Sequence, residues 1–211
     1  MANARGRLPR KPANQYHHGD LPRALLEAAV RTIQKRGVEA LTLRAVGDEL
    51  GVSRSALYRH FADKAALLAT VAHEGFRMLR LELEAAWERS GRGLPGFTAM
   101  GEAYVRFAIA HPAHYRLMFG SGFDRSAAAP ELREEGSRAF GVLVNAITQQ
   151  RPGTLQPDDP ERLAHFIWAL VHGISMLAID GALREGTDVE ALTRYAIERM
   201  RTGIAAHGEA R

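Results

Sequence analysis

Four segments near the start of the chain each open on a residue that caps helices. Asp20 precedes Leu21, Leu25, Leu26, Ala29, Val30 and Ile33 at helical spacing, and Gly37 follows. Thr42 precedes Leu43, Val46 and Leu50, and Gly51 follows. Ser53 precedes Leu57 and Phe61, and Asp63 opens a run whose only breaker before about Arg89 is Gly75. Side-chain oxygens of Asp, Thr and Ser accept from the backbone N–H groups that a helix start leaves unpaired, and glycine takes the left-handed backbone that ends a helix. The pattern predicts three short helices and then a long one. The second and third, 42–50 and 53–61, are separated by a turn at Gly51-Val52, which is helix-turn-helix spacing.

Helical spacing continues through the rest of the chain. SGRGLPG, 90–96, reads as a loop, followed by a helix through FTAMGEAYVRFAIA, a break at His111-Pro112 and a further helix through AHYRLMFG. GSGFDRSAAAP (120–130) and RPGTLQPDDP (151–160) read as loops, with helices at about 131–150, 160–180 and 188–206. No stretch alternates with period 2, and no repeat is visible. The expectation is an all-α protein of about nine helices: an arm at 1–19, a helix-turn-helix module at 20–66 and a helical body at 67–211.

Composition narrows the function. Without cysteine there is no disulfide, thiolate metal site or cysteine nucleophile. The first residues lack an apolar signal core, and the longest nearly apolar run, 166–179, has 14 residues, short of the roughly 20 that cross a bilayer. A cytoplasmic protein without membrane contact is the default. Residues 1–64 carry a net charge of +6 and the remainder −2. Arg5, Arg7, Arg10 and Lys11 all precede the first acid. A polyanion-binding head on a near-neutral body fits this, as does a basic tail without a target.

With Leu57 facing the core, a turn of about 100° per residue puts Ser55 and Arg59 on the opposite side, flanked by Ala56 and Tyr58. Small residues let a helix approach a surface closely. Ser, Tyr and Arg donate to phosphates or base edges, and Ala packs on a thymine methyl. A solvated helix face is the plain alternative, and the basic arm and the paired capped helices favour DNA.

LTLRAVGDELGVSRSALYRHFADKAALL, 41–68, resembles the DNA-binding region of the TetR (tetracycline-repressor) family of transcriptional regulators. The resemblance extends back through YHHGDLPRALLEAA. It implies a third helix that enters the major groove, joined by a fourth to a regulatory body. It further implies that Tyr58 and Lys64 contact phosphates, that Arg44 touches the backbone, and that Ser53, Ser55, Ala56, Arg59 and His60 belong to the DNA-facing set.

HPAHYRLMFG and WALVHG resemble a TetR C-terminal type named for its Trp-His-Gly, here Trp168, His172 and Gly173. On the eighth helix Leu163, Phe166, Ile167, Leu170, Val171, Ile174 and Leu177 form one stripe, and His165, Trp168, His172 and Ser175 form another. A helix apolar on most of its circumference is buried on most sides. The family resemblance implies that with the ninth helix it forms a four-helix homodimer seam, which a pseudo-palindromic double-stranded DNA operator requires. Aromatic and soft residues accumulate in the body. The candidate lining of a small-molecule effector pocket is Tyr104, His114, Tyr115, Met118, Phe119, Phe140, Trp168, His172 and Met176, against the plainer reading of these as core. His111 and His114 straddle Pro112 with no carboxylate at useful spacing, so no metal is expected, and no motif requires a cofactor or an enzyme. Three readings remain: a ligand-responsive dimeric repressor, a DNA-binding regulator of the same fold that activates or senses no ligand, and an unrelated helical enzyme or adaptor.

Overall fold

The computed structural model describes residues 21–120, 130–149 and 159–208, with side chains as far as Thr202. The Asp20 cap, the basic arm and most of the loops flanking the seventh helix lie outside the described residues. Nine helices and no strand are present among those described: α1 (Leu21–Arg36), α2 (Leu43–Leu50), α3 (Arg54–Tyr58), α4 (Lys64–Arg89), α5 (Gly93–Ala110), α6 (Pro112–Phe119), α7 (Pro130–Thr148), α8 (Pro160–Ile179) and α9 (Val189–Gly208).

The caps form as their residue types dictate. The Thr42 hydroxyl accepts from the Ala45 N–H at 3.1 Å, Ser53 Oγ from Ala56 at 3.3 Å and Asp63 Oδ1 from Ala66 at 2.8 Å. Gly51 closes α2 at φ +67°, a backbone that costs a residue with a Cβ. The Val52 N–H then reaches back to the Gly47 carbonyl at 2.9 Å.

α3 is shorter than its spacing suggests. It ends at Tyr58, and the Phe61 N–H bonds the Leu57 carbonyl from a turn. Five residues do not hold a helix alone. Burial of Leu57 and Phe61, at roughly 1.5–3 kcal/mol each, holds it against α2 in the core that these helices share with α1 and α4. α5 corrects a second expectation. It begins at Gly93 and takes in part of what reads as a loop. Pro95 sits in its first turn, where a backbone N–H has no intrahelical partner anyway. α8 is also longer than its apolar run. Over its full 20 residues it is long and apolar enough to cross a membrane, yet it packs on α5, α7 and α9.

Two apolar cores result. One holds α1–α3 and the first half of α4, where Leu67, Leu68, Val71 and Ala72 are buried, with Ala113 and Leu117 of α6 and Leu132 of α7. The other holds the second half of α4 (Leu79, Leu83, Trp87) with α5, α7, α8 and α9. Phe76 packs against both. One 26-residue helix thus runs from the helix-turn-helix through the body.

α4 and α7 are joined by a buried carboxylate. Glu135 is only 3% exposed; it accepts from Arg80 Nε at 2.7 Å and from Arg138 Nη1 at 3.2 Å. Burial pushes its pKa up, but the bonds from the two guanidinium groups outweigh that and hold it below the usual carboxylate range.

Candidate nucleic-acid interface and ligand cavity

The outer side of the helix-turn-helix is polar and open. Arg44, Ser53, Arg54, Ser55, Tyr58, Arg59 and His60 are exposed, and Ala56 is half-buried. Tyr58 leaves 54% of its surface in solvent, high for an aromatic side chain. Arg54 and Arg59 have no ion-pair partner among the described residues. Arg44 sits 3.6 Å from Asp48, an exposed pair of small energetic weight. Ser53 is occupied by its cap and lies 3.2 Å from the Ser55 hydroxyl. Lys64 has a structural task beside the one its resemblance implies: it is half-buried, and its Nζ donates to the Val38 carbonyl at 2.8 Å, tying the start of α4 to the α1–α2 connection. Arg54, the first residue of α3, is a further exposed cation beside this set, which the sequence reading did not single out.

The body holds a cavity of about 800 Å³, inside the range typical of small-molecule sites. α4 supplies Phe76, Leu79 and Leu83; α5 supplies Phe97, Met100, Gly101 and Tyr104; α6 supplies Met118 and Phe119. α7 contributes Gly136, Phe140, Leu143 and Val144, and α8 contributes Ile167, Trp168 and Val171. Its charged members, Arg133 and Glu161, are exposed residues on α7 and the first half of α8, as are the polar Ser137, Asn145 and His165.

Of the residues expected to line a pocket, Tyr104, Met118, Phe119, Phe140 and Trp168 reach this wall. His114, Tyr115, His172 and Met176 do not. Tyr115 is fully buried behind Tyr104, and Met176 packs on the core. His114 lies at the joint of α4 and α6, 3.8 Å from Glu74, with Nδ1 unpaired among the described residues. Burial lowers its pKa despite Glu74. His172 meets tyrosine hydroxyls instead of the cavity. The α4 wall, and the α7 wall apart from Phe140, were missed in the sequence. Phe76, Leu79 and Leu83 do carry the i, i+3, i+7 signal of one helix face, but glycine and serine on α7 carry none.

Behind the wall runs a polar chain. Trp168 Nε1 donates to the Tyr104 hydroxyl at 2.8 Å, the hydroxyls of Tyr104 and Tyr115 lie 3.0 Å apart, and Tyr115 Oη lies 2.6 Å from His172 Nδ1. Burial pushes the Tyr115 pKa up to about 12, and burial with the neighbouring Tyr115 raises Tyr104 well above the ordinary phenol value. Burial lowers the pKa of His172. Near pH 7 the chain is neutral.

Outside both sites, α8 presents an apolar stripe to solvent. Phe166, Leu170, Gly173 and Leu177 lie within one narrow face at helical spacing, with Phe166 57% and Leu177 46% exposed. The longer stripe read from the sequence therefore divides: Ile167, Val171 and Ile174 are buried in the protomer's own core. Tyr195 of α9, 60% exposed, lies beneath the Arg199 guanidinium.

A capped helix-turn-helix with open cations, carried by one long helix on a body with an apolar cavity, is the build of a helical DNA-binding regulator. The family described as bacterial regulatory proteins, tetR family, matches residues 25–71, and the tetracyclin repressor-like C-terminal domain matches residues 97–200. A protein of unknown function from Rhodococcus sp. RHA1 is similar over 90% of this chain and 98% of its own, at 37% identity and a TM-score of 0.81. The putative regulatory protein SCO4313 shares 22% identity over 86% of this chain and 95% of its own, with a TM-score of 0.72. A tetR-family regulatory protein from Rhodococcus RHA1 shares the fold at 20% identity and a TM-score of 0.66, covering 87% of this chain and 96% of its own. The chain belongs to the TetR family and is a DNA-binding transcriptional regulator.

Proposed function

We propose that the protein is a homodimeric repressor that leaves a pseudo-palindromic DNA operator when a small molecule fills the cavity. In this reading Ser55, Ala56 and Arg59 meet base edges, while Tyr58 and Lys64, with Arg44, Ser53 and His60 around them, meet the phosphate backbone. The seam is the exposed stripe of Phe166, Leu170 and Leu177 on α8, with Tyr195 of α9. A two-fold axis there pairs two reading heads for two half-sites. The reading carries a cytoplasmic location with it, because a bacterial regulator meets its DNA there.

One observation carries the ligand-responsive part. α4 buries Leu67, Leu68, Val71 and Ala72 in the helix-turn-helix core and turns Phe76, Leu79 and Leu83 into the cavity wall, and α6 does the same with Leu117 and then Met118-Phe119. A molecule that displaces Phe76 or Phe119, which stack edge to face with centroids 5.4 Å apart, pushes on the two helices that also pack the reading head. A ligand that prefers one arrangement of these helices shifts operator affinity by that preference.

The test fills the cavity by mutation. Val144→Trp on the α7 wall is expected to block uptake of the neutral dye Nile red, to leave the dimer intact and to weaken operator binding. Operator affinity equal to the wild type, with dye uptake blocked, contradicts the coupling.

A further inference from the structure

We infer that the cavity takes a neutral, mainly apolar small molecule bearing one oxygen, a ketone or a hydroxyl, that hydrogen-bonds Tyr104 Oη. The inference rests on the ligand-responsive reading and specifies its ligand.

The interior wall is aliphatic and aromatic, and the charged residues around the cavity are all exposed ones on α7 and α8. Glu135, the buried carboxylate nearby in the fold, is consumed by Arg80 and Arg138. An ionised group carried to the inner end therefore meets no compensating charge, and burial of an unpaired charge is costly. Tyr104 lines the cavity, and a molecule without polar atoms leaves its hydroxyl proton unused, while one oxygen beside it uses that proton.

The chain behind Tyr104 sets what that oxygen is. Trp168 N–H occupies one acceptor position on Tyr104 Oη. Tyr115 donates its one proton to Tyr104. The His172 Nδ1, 2.6 Å from Tyr115 Oη and 3.4 Å from Tyr104 Oη, therefore carries the imidazole proton and donates to Tyr115. The Tyr104 proton is then left for a ligand oxygen that accepts, a ketone or a hydroxyl, without any group changing charge. High phenol pKa values and a low imidazole pKa keep the chain in these neutral forms.

The test uses four molecules on one skeleton, 4-cyclohexylcyclohexanone, 4-cyclohexylcyclohexanol, bicyclohexyl and 4-cyclohexylcyclohexanecarboxylate, competing with Nile red for the full-length protein. In the wild type the ketone and the alcohol are expected to bind about three- to tenfold more tightly than the hydrocarbon, the worth of one hydrogen bond. The carboxylate is expected to bind roughly tenfold or more below the ketone. Tyr104→Phe removes one oxygen and is expected to erase the preference over hydrocarbon. A preference that survives in Tyr104→Phe, a carboxylate that matches the ketone, or failure of all four to displace bound dye overturns the inference. Should Tyr104→Phe fold poorly, the infrared carbonyl stretch of the ketone bound to wild type decides. A shift to lower frequency than in cyclohexane supports the hydrogen bond, and an unshifted band overturns it. Nile red that binds Val144→Trp as well as wild type sits elsewhere, and the failure then belongs to the cavity reading rather than to the ligand class.

Discussion

Substituting alanine at Gly75 measures how closely the reading head and the body are joined. Gly75 lies mid-way along α4, where α6 crosses it. A Cβ there stands 2.6 Å from Met118 Sδ, 3.1 Å from Met118 Cγ and 3.1 Å from His114 Cβ. The sulfur can swing away, but His114 Cβ is fixed to the α6 backbone and cannot yield without moving the helix. Two terms oppose each other. Alanine in place of glycine inside a helix stabilises by about 1 kcal/mol. Overpacking a filled interface costs about 1–3 kcal/mol. Gly75→Ala is therefore expected to range from neutral to about 2 kcal/mol destabilising. Gly141 on α7 supplies the control, because nothing lies within 4 Å of its Cβ position. Gly141→Ala is expected to gain the helix term alone, about 1 kcal/mol. The assay is urea unfolding followed by helical circular dichroism at fixed protomer concentration, since assembly alters apparent stability. The two variants should differ by about 1–3 kcal/mol, the clash term. Equal stabilisation by both would refute the close α4–α6 contact on which the coupling argument depends.

Other predictions follow from single contacts. Glu135→Gln is expected to cost about 1–3 kcal/mol at pH 7, less than a fully buried pair because Arg138 is largely exposed. The folded pKa of Glu135 is depressed, so its contribution is present above the ordinary value of 4.5 and fades as pH falls through that value towards the folded one. Unfolding curves of wild type and variant should therefore converge in acid, and a constant gap would refute the assignment. Arg59→Ala is expected to relax base preference at one operator position by about 1–3 kcal/mol, whereas an unchanged motif would remove it from the base-reading set. Charging the exposed stripe with Phe166→Glu and Leu177→Glu is expected to give folded monomers that no longer bind specific DNA. A dimer on sizing would put the seam elsewhere. Ile174→Glu is the wrong test of the seam, because Ile174 is buried within the protomer and the substitution unfolds it.

What was legible in the sequence was whatever depends on neighbours along the chain. Thr42, Ser53 and Asp63 announce their helices because a cap acts three residues away. The end of α3 was not legible, since the burial of Phe61 in the shared core decides it rather than propensity. GLPG misled because glycine and proline usually break helices, whereas the first turn of α5 needs no proline N–H. The cavity was half legible. Tyr104, Phe119, Phe140 and Trp168 mark it by type, but the choice between wall and core is a tertiary fact. Tyr115 and Tyr104 look alike in the sequence, and only their stacking order puts one at the wall and the other behind it. His172 shows the same limit, since its role depends on the tyrosine that α6 brings within 2.6 Å.

Two copies of the exposed helix-turn-helix are expected to read a defined DNA sequence as a pair. In-vitro selection from a random DNA library at about 150 mM salt tests it most directly, since at that ionic strength nonspecific phosphate contacts are weakened. Enrichment of one pseudo-palindromic motif whose half-sites lie about one helical turn apart is expected. Binding that is strongly salt-sensitive and enriches no motif would contradict it.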